Sequence, residues 1–70
     1  MELPVVFTLV ACPACDALKS SWAEQSIEYE ERRVDLRQEW MDEARTYGDV
    51  VPIVVYLDGR VEEGFPGVMG

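Results

Sequence analysis

The sequence predicts an α/β domain in which four strands and two helices follow the order β-α-β-α-β-β and the strands form one mixed sheet. Three observations carry this. Pro4 to Val10 and Ile53 to Leu57 are short runs rich in β-branched and aromatic residues, two intervening segments repeat apolar residues at helical spacing, and Asp58-Gly59 is a hairpin pair.

Pro4 to Val10 shows no alternation, which suits a strand buried on both faces. A helix is expected from Pro13 to about Gln25, because Cys15, Leu18 and Trp22 recur at helical spacing with Ala14 and Ala17 beside them. Pro13 suits the first helical position and Asp16 suits the positive end of the macrodipole, so Cys12 falls at the N-cap. Ile27 to Asp35 mixes Ile27, Tyr29 and Val34 with Glu28, Glu30, Glu31, Arg32 and Arg33, the pattern of a charge-protected edge strand. Arg37 to Tyr47 is a second amphipathic helix through Trp40, Met41, Ala44 and Tyr47, with Gly48 as its stop. Trp22 and Trp40 are read as core anchors. Asp58-Gly59 then turns the Ile53 to Leu57 strand into Arg60 to Glu63, and Gly64 to Gly70 is loop-like.

Seventy residues make one domain, 1–70, and 49% hydrophobic with 29% charged side chains describe a packed chain and not a disordered one. Fourteen acidic against six basic residues give a net charge of −8, a field that repels phosphate backbones and anionic lipid. Nucleic acid and membrane are therefore not expected partners. Apolar runs are too short to span a bilayer, and the Met1-Glu2-Leu3-Pro4 opening does not look like a secretory signal, so a cytoplasmic chain is expected. The absence of histidine excludes hydrolase chemistry of the His-assisted kind.

The two cysteines, Cys12 and Cys15, stand in a C-x-x-C where a strand is expected to turn into a helix. N–H groups of the first helical turn stabilise a thiolate at Cys12, and such motifs lower the thiol pKa from about 8.5 into the range of roughly 3.5 to 7.5. Cys12 is the expected attacking sulfur, and Cys15, one turn on, is placed to resolve a mixed disulfide. Asp16 opposes the thiolate by like charge, and Lys19 lies nearly two turns away from Cys12. Two plainer readings stand beside this one: ordinary small buried residues, or half of a zinc or iron-sulfur site. A metal site would need two chains, because one chain offers two sulfurs and no histidine.

Pro52, in Val50-Val51-Pro52-Ile53, suits the start of a strand, and a cis bond can precede it. With Cys12-Pro13-Ala14-Cys15 upstream, the chain resembles the thioredoxin superfamily and, more narrowly, the glutaredoxin-like redoxins. The resemblance covers nearly the whole chain, from the first strand to Gly64-Phe65, and implies a small thioredoxin/glutaredoxin-like fold. In that family a cis-proline faces the C-x-x-C and its neighbouring backbone pairs with substrate as an added strand. By resemblance Val51 and Pro52 take this role, and Pro13, Ala14, Gly64 and Phe65 are further substrate contacts. Family members usually end in a third helix. Here only Val68, Met69 and Gly70 follow Gly67, so that helix is expected to be absent or rudimentary, with the face it would cover left to a homodimer or another partner.

The resemblance implies a protein-disulfide reductase that cycles between a Cys12-Cys15 dithiol and disulfide without a bound cofactor or metal. Electrons would come from glutathione or from an NADPH-linked thioredoxin reductase. Glutathione-using members generally carry lysine three residues before the first cysteine and a Gly-Gly turn with acidic residues after it. This chain has Leu9 and Gly64-Phe65-Pro66-Gly67 instead, closer to the redoxins that serve ribonucleotide reductase. The alternatives are a glutathione-dependent deglutathionylating glutaredoxin and a dimeric iron-sulfur or metal carrier using Cys12. Arg32, Arg33 and Arg37 are read as surface charges balancing Glu28 to Glu31, with a substrate carboxylate as the other reading.

Overall fold

A computed structural model describes residues 3–65 of the chain. Its elements are β1 (Val5–Thr8), α1 (Pro13–Glu24), β2 (Glu30–Arg33), α2 (Gln38–Arg45), β3 (Ile53–Val55) and β4 (Val61–Glu63). The sheet order is β2-β1-β3-β4, with β1 parallel to β2 and the β3-β4 hairpin antiparallel on the other side of β1. This is the four-stranded mixed sheet that the element order predicts, in the thioredoxin-like α/β arrangement that the resemblance implies. The expectations that fall on residues 66–70, including the third helix, lie outside the described residues.

Alternation along β1 and β3 divides the core between the two sheet faces. Val6 and Val54 pack with Leu18 and Trp22 of α1, joined by Tyr29, Tyr56 and Phe65. On the opposite face Phe7 and Ile53 pack with Val34 and Ala44, joined by Val5, Met41 and Val55. Trp22 is the aromatic centre of the first cluster, with the Tyr29 ring edge-on at 5.4 Å and Tyr56 at 6.4 Å.

Four expectations are corrected. The strands are shorter than their apolar runs, since β2 begins at Glu30, where its amide bonds the Pro4 carbonyl at 2.8 Å. The hairpin loop has three residues, Leu57, Asp58 and Gly59, because the Gly59 amide bonds the Tyr56 carbonyl at 3.0 Å and Asp58 holds the Arg60 amide at 3.0 Å. Gly59 supplies the left-handed residue of that loop at φ 93°. Trp40 is half-exposed and outside the core clusters, its ring 5.0 Å from the Arg37 guanidinium. The buried stripe of α2 runs through Met41 and Ala44, and Trp40 lies about 100° around the helix from Met41. Lastly, α2 closes through Thr46, and Gly48 is not in the left-handed conformation of a glycine stop.

Thr8 is a fully buried polar side chain, and its hydroxyl donates to Glu31 Oε2 at 2.7 Å, an oxygen that also accepts from Lys19 Nζ at 3.1 Å. Burial raises the Glu31 pKa, but the Thr8 and Lys19 hydrogen bonds and the Lys19 charge outweigh it and hold the carboxyl below its ordinary value of 4.5. A depressed folded pKa adds stability that is present above 4.5 and disappears as pH falls through the folded value. Acid titrations followed by urea unfolding should therefore show a shallower loss of stability below pH 4.5 in Glu31→Gln than in the parent chain. Trp22→Ala should cost about 3–5 kcal/mol in the same assay and Trp40→Ala less than about 1 kcal/mol.

Candidate functional site

The site is assembled at one end of the sheet by strand direction. β1 runs toward this end and delivers the Cys12 turn, and antiparallel β3 starts from it, with Phe7 opposite Ile53. β4 runs toward it again, with Glu63 opposite Ile53, so Gly64 arrives beside Pro52 and its amide bonds the Pro52 carbonyl at 2.8 Å. Three segments far apart in sequence thus meet: the cysteine turn, Val51-Pro52 and Gly64-Phe65.

Ala11, at φ 57°, turns the chain sharply between β1 and α1. Cys12 follows in an extended conformation as the N-cap of α1, with Pro13 opening the helix. Its sulfur accepts from the Cys15 amide at 3.1 Å and its carbonyl accepts from the Asp16 amide at 3.0 Å. Cys12 and Cys15 are joined in a disulfide, their Cα atoms 5.2 Å apart.

Cys12, Ala14 and Cys15 form one buried cluster, against which Val51 and Phe65 pack. The Val51-Pro52 peptide bond is cis. Among the described residues the Val51 N–H and C=O make no backbone hydrogen bond. Of the other residues proposed from the sequence as substrate contacts, Pro13 is exposed, Gly64 is half-buried, and Ala14 and Pro52 are enclosed. A groove of about 460 Å³ opens beside Val51, lined by Leu9, Val34, Met41, Ala44 and Ile53 and by the charged Arg45 and Asp49.

The basic residues near the sequence motifs are engaged elsewhere. Lys19 is held by Glu31, Arg32 by Glu30 and Glu43, Arg33 by Asp35, and Arg37 by Glu39. No group of three or more His, Cys, Asp or Glu side chains that could hold a metal occurs among the described residues.

One contact at the site has no signal in the sequence. Glu63 Oε1 accepts from the amides of Asp49 and Val50 at 3.0 and 3.3 Å, and its side chain fills the space that a Cβ on Gly48 would occupy. Only the β3-β4 register brings these residues together.

The capped helix start predicts a nucleophilic Cys12. In the reduced protein, iodoacetamide labelling of Cys12 followed against pH should have its midpoint below about 8.5, the value of a free thiol. Cys15→Ser should retain a lowered midpoint, because the amide at position 15 remains.

The glutaredoxin family model matches residues 5–62 of the chain, from the start of β1 into β4. No curated protein matches it.

Proposed function

The chain belongs to the glutaredoxin family, and we propose that it is a thiol-disulfide oxidoreductase that reduces protein disulfides through Cys12 and Cys15. The observation that carries the reading is the Cys12-Cys15 disulfide at the start of α1, packed against the residue that precedes Pro52.

In the reduced state the Cys12 thiolate, held by the helix-start amide, attacks one sulfur of a target disulfide. The target S–S bond breaks, a Cys12-target disulfide forms, and the departing sulfur takes a proton. The Cys15 thiolate then attacks the Cys12 sulfur, releasing the second target thiol and closing the Cys12-Cys15 bond. Two electrons have passed from the dithiol to the target. Cys12 is 3% exposed and Cys15 is fully buried, which supports Cys12 as the sulfur that meets a partner.

Among the described residues the Val51 N–H and C=O make no backbone hydrogen bond, which supports substrate pairing there as an added strand. Val10 and Val50, both exposed, supply apolar surface at the same end of the sheet, as a protein substrate requires. Leu9 stands where glutathione-using members generally carry lysine, which favours a flavoprotein thioredoxin reductase as electron source and a ribonucleotide-reductase-type target, with Arg45 the cation that lines the same groove. A cytosolic setting fits a cycling disulfide of this kind.

Reduction of the oxidised chain should be compared with thioredoxin reductase and with glutathione plus glutathione reductase, each followed by NADPH loss. Turnover with thioredoxin reductase alone is expected. Comparable turnover with glutathione would make the protein a glutathione-dependent glutaredoxin, and none with either would overturn the oxidoreductase reading. Cys12→Ser should lower target reduction at least about a hundredfold, whereas Cys15→Ser should accumulate a mixed disulfide with the target, visible by mass spectrometry.

A further inference from the structure

Residues 49–52, which include the Val51 and Pro52 proposed above to meet substrate, lie in a bend and have no strand ladder of their own to hold them. Two contacts at the end of β4 hold them instead. Glu63 Oε1 takes both the Asp49 and the Val50 amides, at 3.0 and 3.3 Å, and the next residue, Gly64, donates its amide to the Pro52 carbonyl at 2.8 Å. These bonds bracket Val51 on both sides, and among the described residues its own N–H and C=O make no backbone hydrogen bond. Gly48 completes the arrangement, because the Glu63 carboxylate occupies the volume a side chain there would need. The Glu63 carboxylate, accepting two consecutive amides, is a charge-assisted clamp.

We propose that Glu63 is a positioning residue that presents the Val51 backbone to a peptide disulfide, acting through the Asp49 and Val50 amides and touching neither the substrate nor the sulfurs. The inference rests on the oxidoreductase reading above. Loss of the clamp should weaken capture of substrates that pair with the backbone and leave the Cys12-Cys15 exchange itself intact. Gly48→Ala should act through the same contact, since the added Cβ displaces the Glu63 carboxylate.

The test mixes the fully reduced chain with increasing concentrations of a peptide disulfide or of hydroxyethyl disulfide, which has no peptide backbone to pair, and follows thiol loss in a single turnover. For Glu63→Ala the half-saturating concentration of the peptide should rise about tenfold, the cost of roughly 1.4 kcal/mol of binding. The limiting rate, and the rate with hydroxyethyl disulfide, should stay within about twofold. Glu63→Gln retains an acceptor oxygen and should recover most of the loss. The Gly48→Ala/Glu63→Ala double variant should be no worse than Glu63→Ala, because both changes remove one contact.

Unchanged peptide saturation in Glu63→Ala overturns the inference, as does an equal loss on both disulfides, which marks a general structural role. Additive losses in the double variant overturn it too. If the unaltered chain reduces neither disulfide, the oxidoreductase reading itself fails and takes the inference with it. An active parent whose variants capture peptide normally sinks the inference alone.

Discussion

The enclosure of β1 is the constraint on which the rest of the structure depends. Val6, Phe7 and Thr8 have no exposed surface, and the strand is paired along both edges, to β2 and to β3. Its alternate residues anchor both halves of the core, Val6 toward α1 and Phe7 toward α2. A shift of register by one residue would reverse those faces, placing Val6 under α2 and Phe7 under α1. The strand end is thereby held in place, and the cysteine turn leaves it at a defined point and in a defined direction.

At that point the requirements of the fold and of the chemistry coincide. A helix start leaves amides without intrahelical partners, and here the Cys15 amide is met by the Cys12 sulfur, where serine or aspartate would commonly serve. The same amide that completes the cap stabilises negative charge on that sulfur when the disulfide opens. Pro13 costs the helix nothing at its first position and keeps the segment between the cysteines rigid.

Charge is arranged differently at the surface and at the site. Five of the six basic residues, Lys19, Arg32, Arg33, Arg37 and Arg60, are paired with acids, so the excess of negative charge is spread over a surface with little free positive charge. Exposed pairs of this kind add little to stability. Two carboxylates do more local work. Glu31 meets the buried Thr8 hydroxyl, and Glu63 holds the bend before Pro52.

By itself the sequence determined what depends on local pattern and on neighbours in the chain. The order of the elements, the Cys12 cap, the opening of α1 at Pro13 and the edge placement of the charged Glu30–Arg33 strand were all legible in it, because periodicity, capping and turn chemistry act over a few residues. The Cys12-x-x-Cys15 spacing suggested a redox pair for the same reason, and the structure joins the two in a disulfide. Resemblance supplied the placement of Val51 and Pro52 opposite them, which local pattern does not contain, and the packing of Phe65 there came from the structure. Only the tertiary structure decided features that depend on which surfaces meet: Trp40 lies outside the core because Met41 and Ala44 face the sheet, and Gly48 yields its side-chain volume to Glu63. The contact between Gly48 and Glu63 spans two strands and a loop, and its physical cause is the β3-β4 register, a long-range pairing that no local window of the chain encodes.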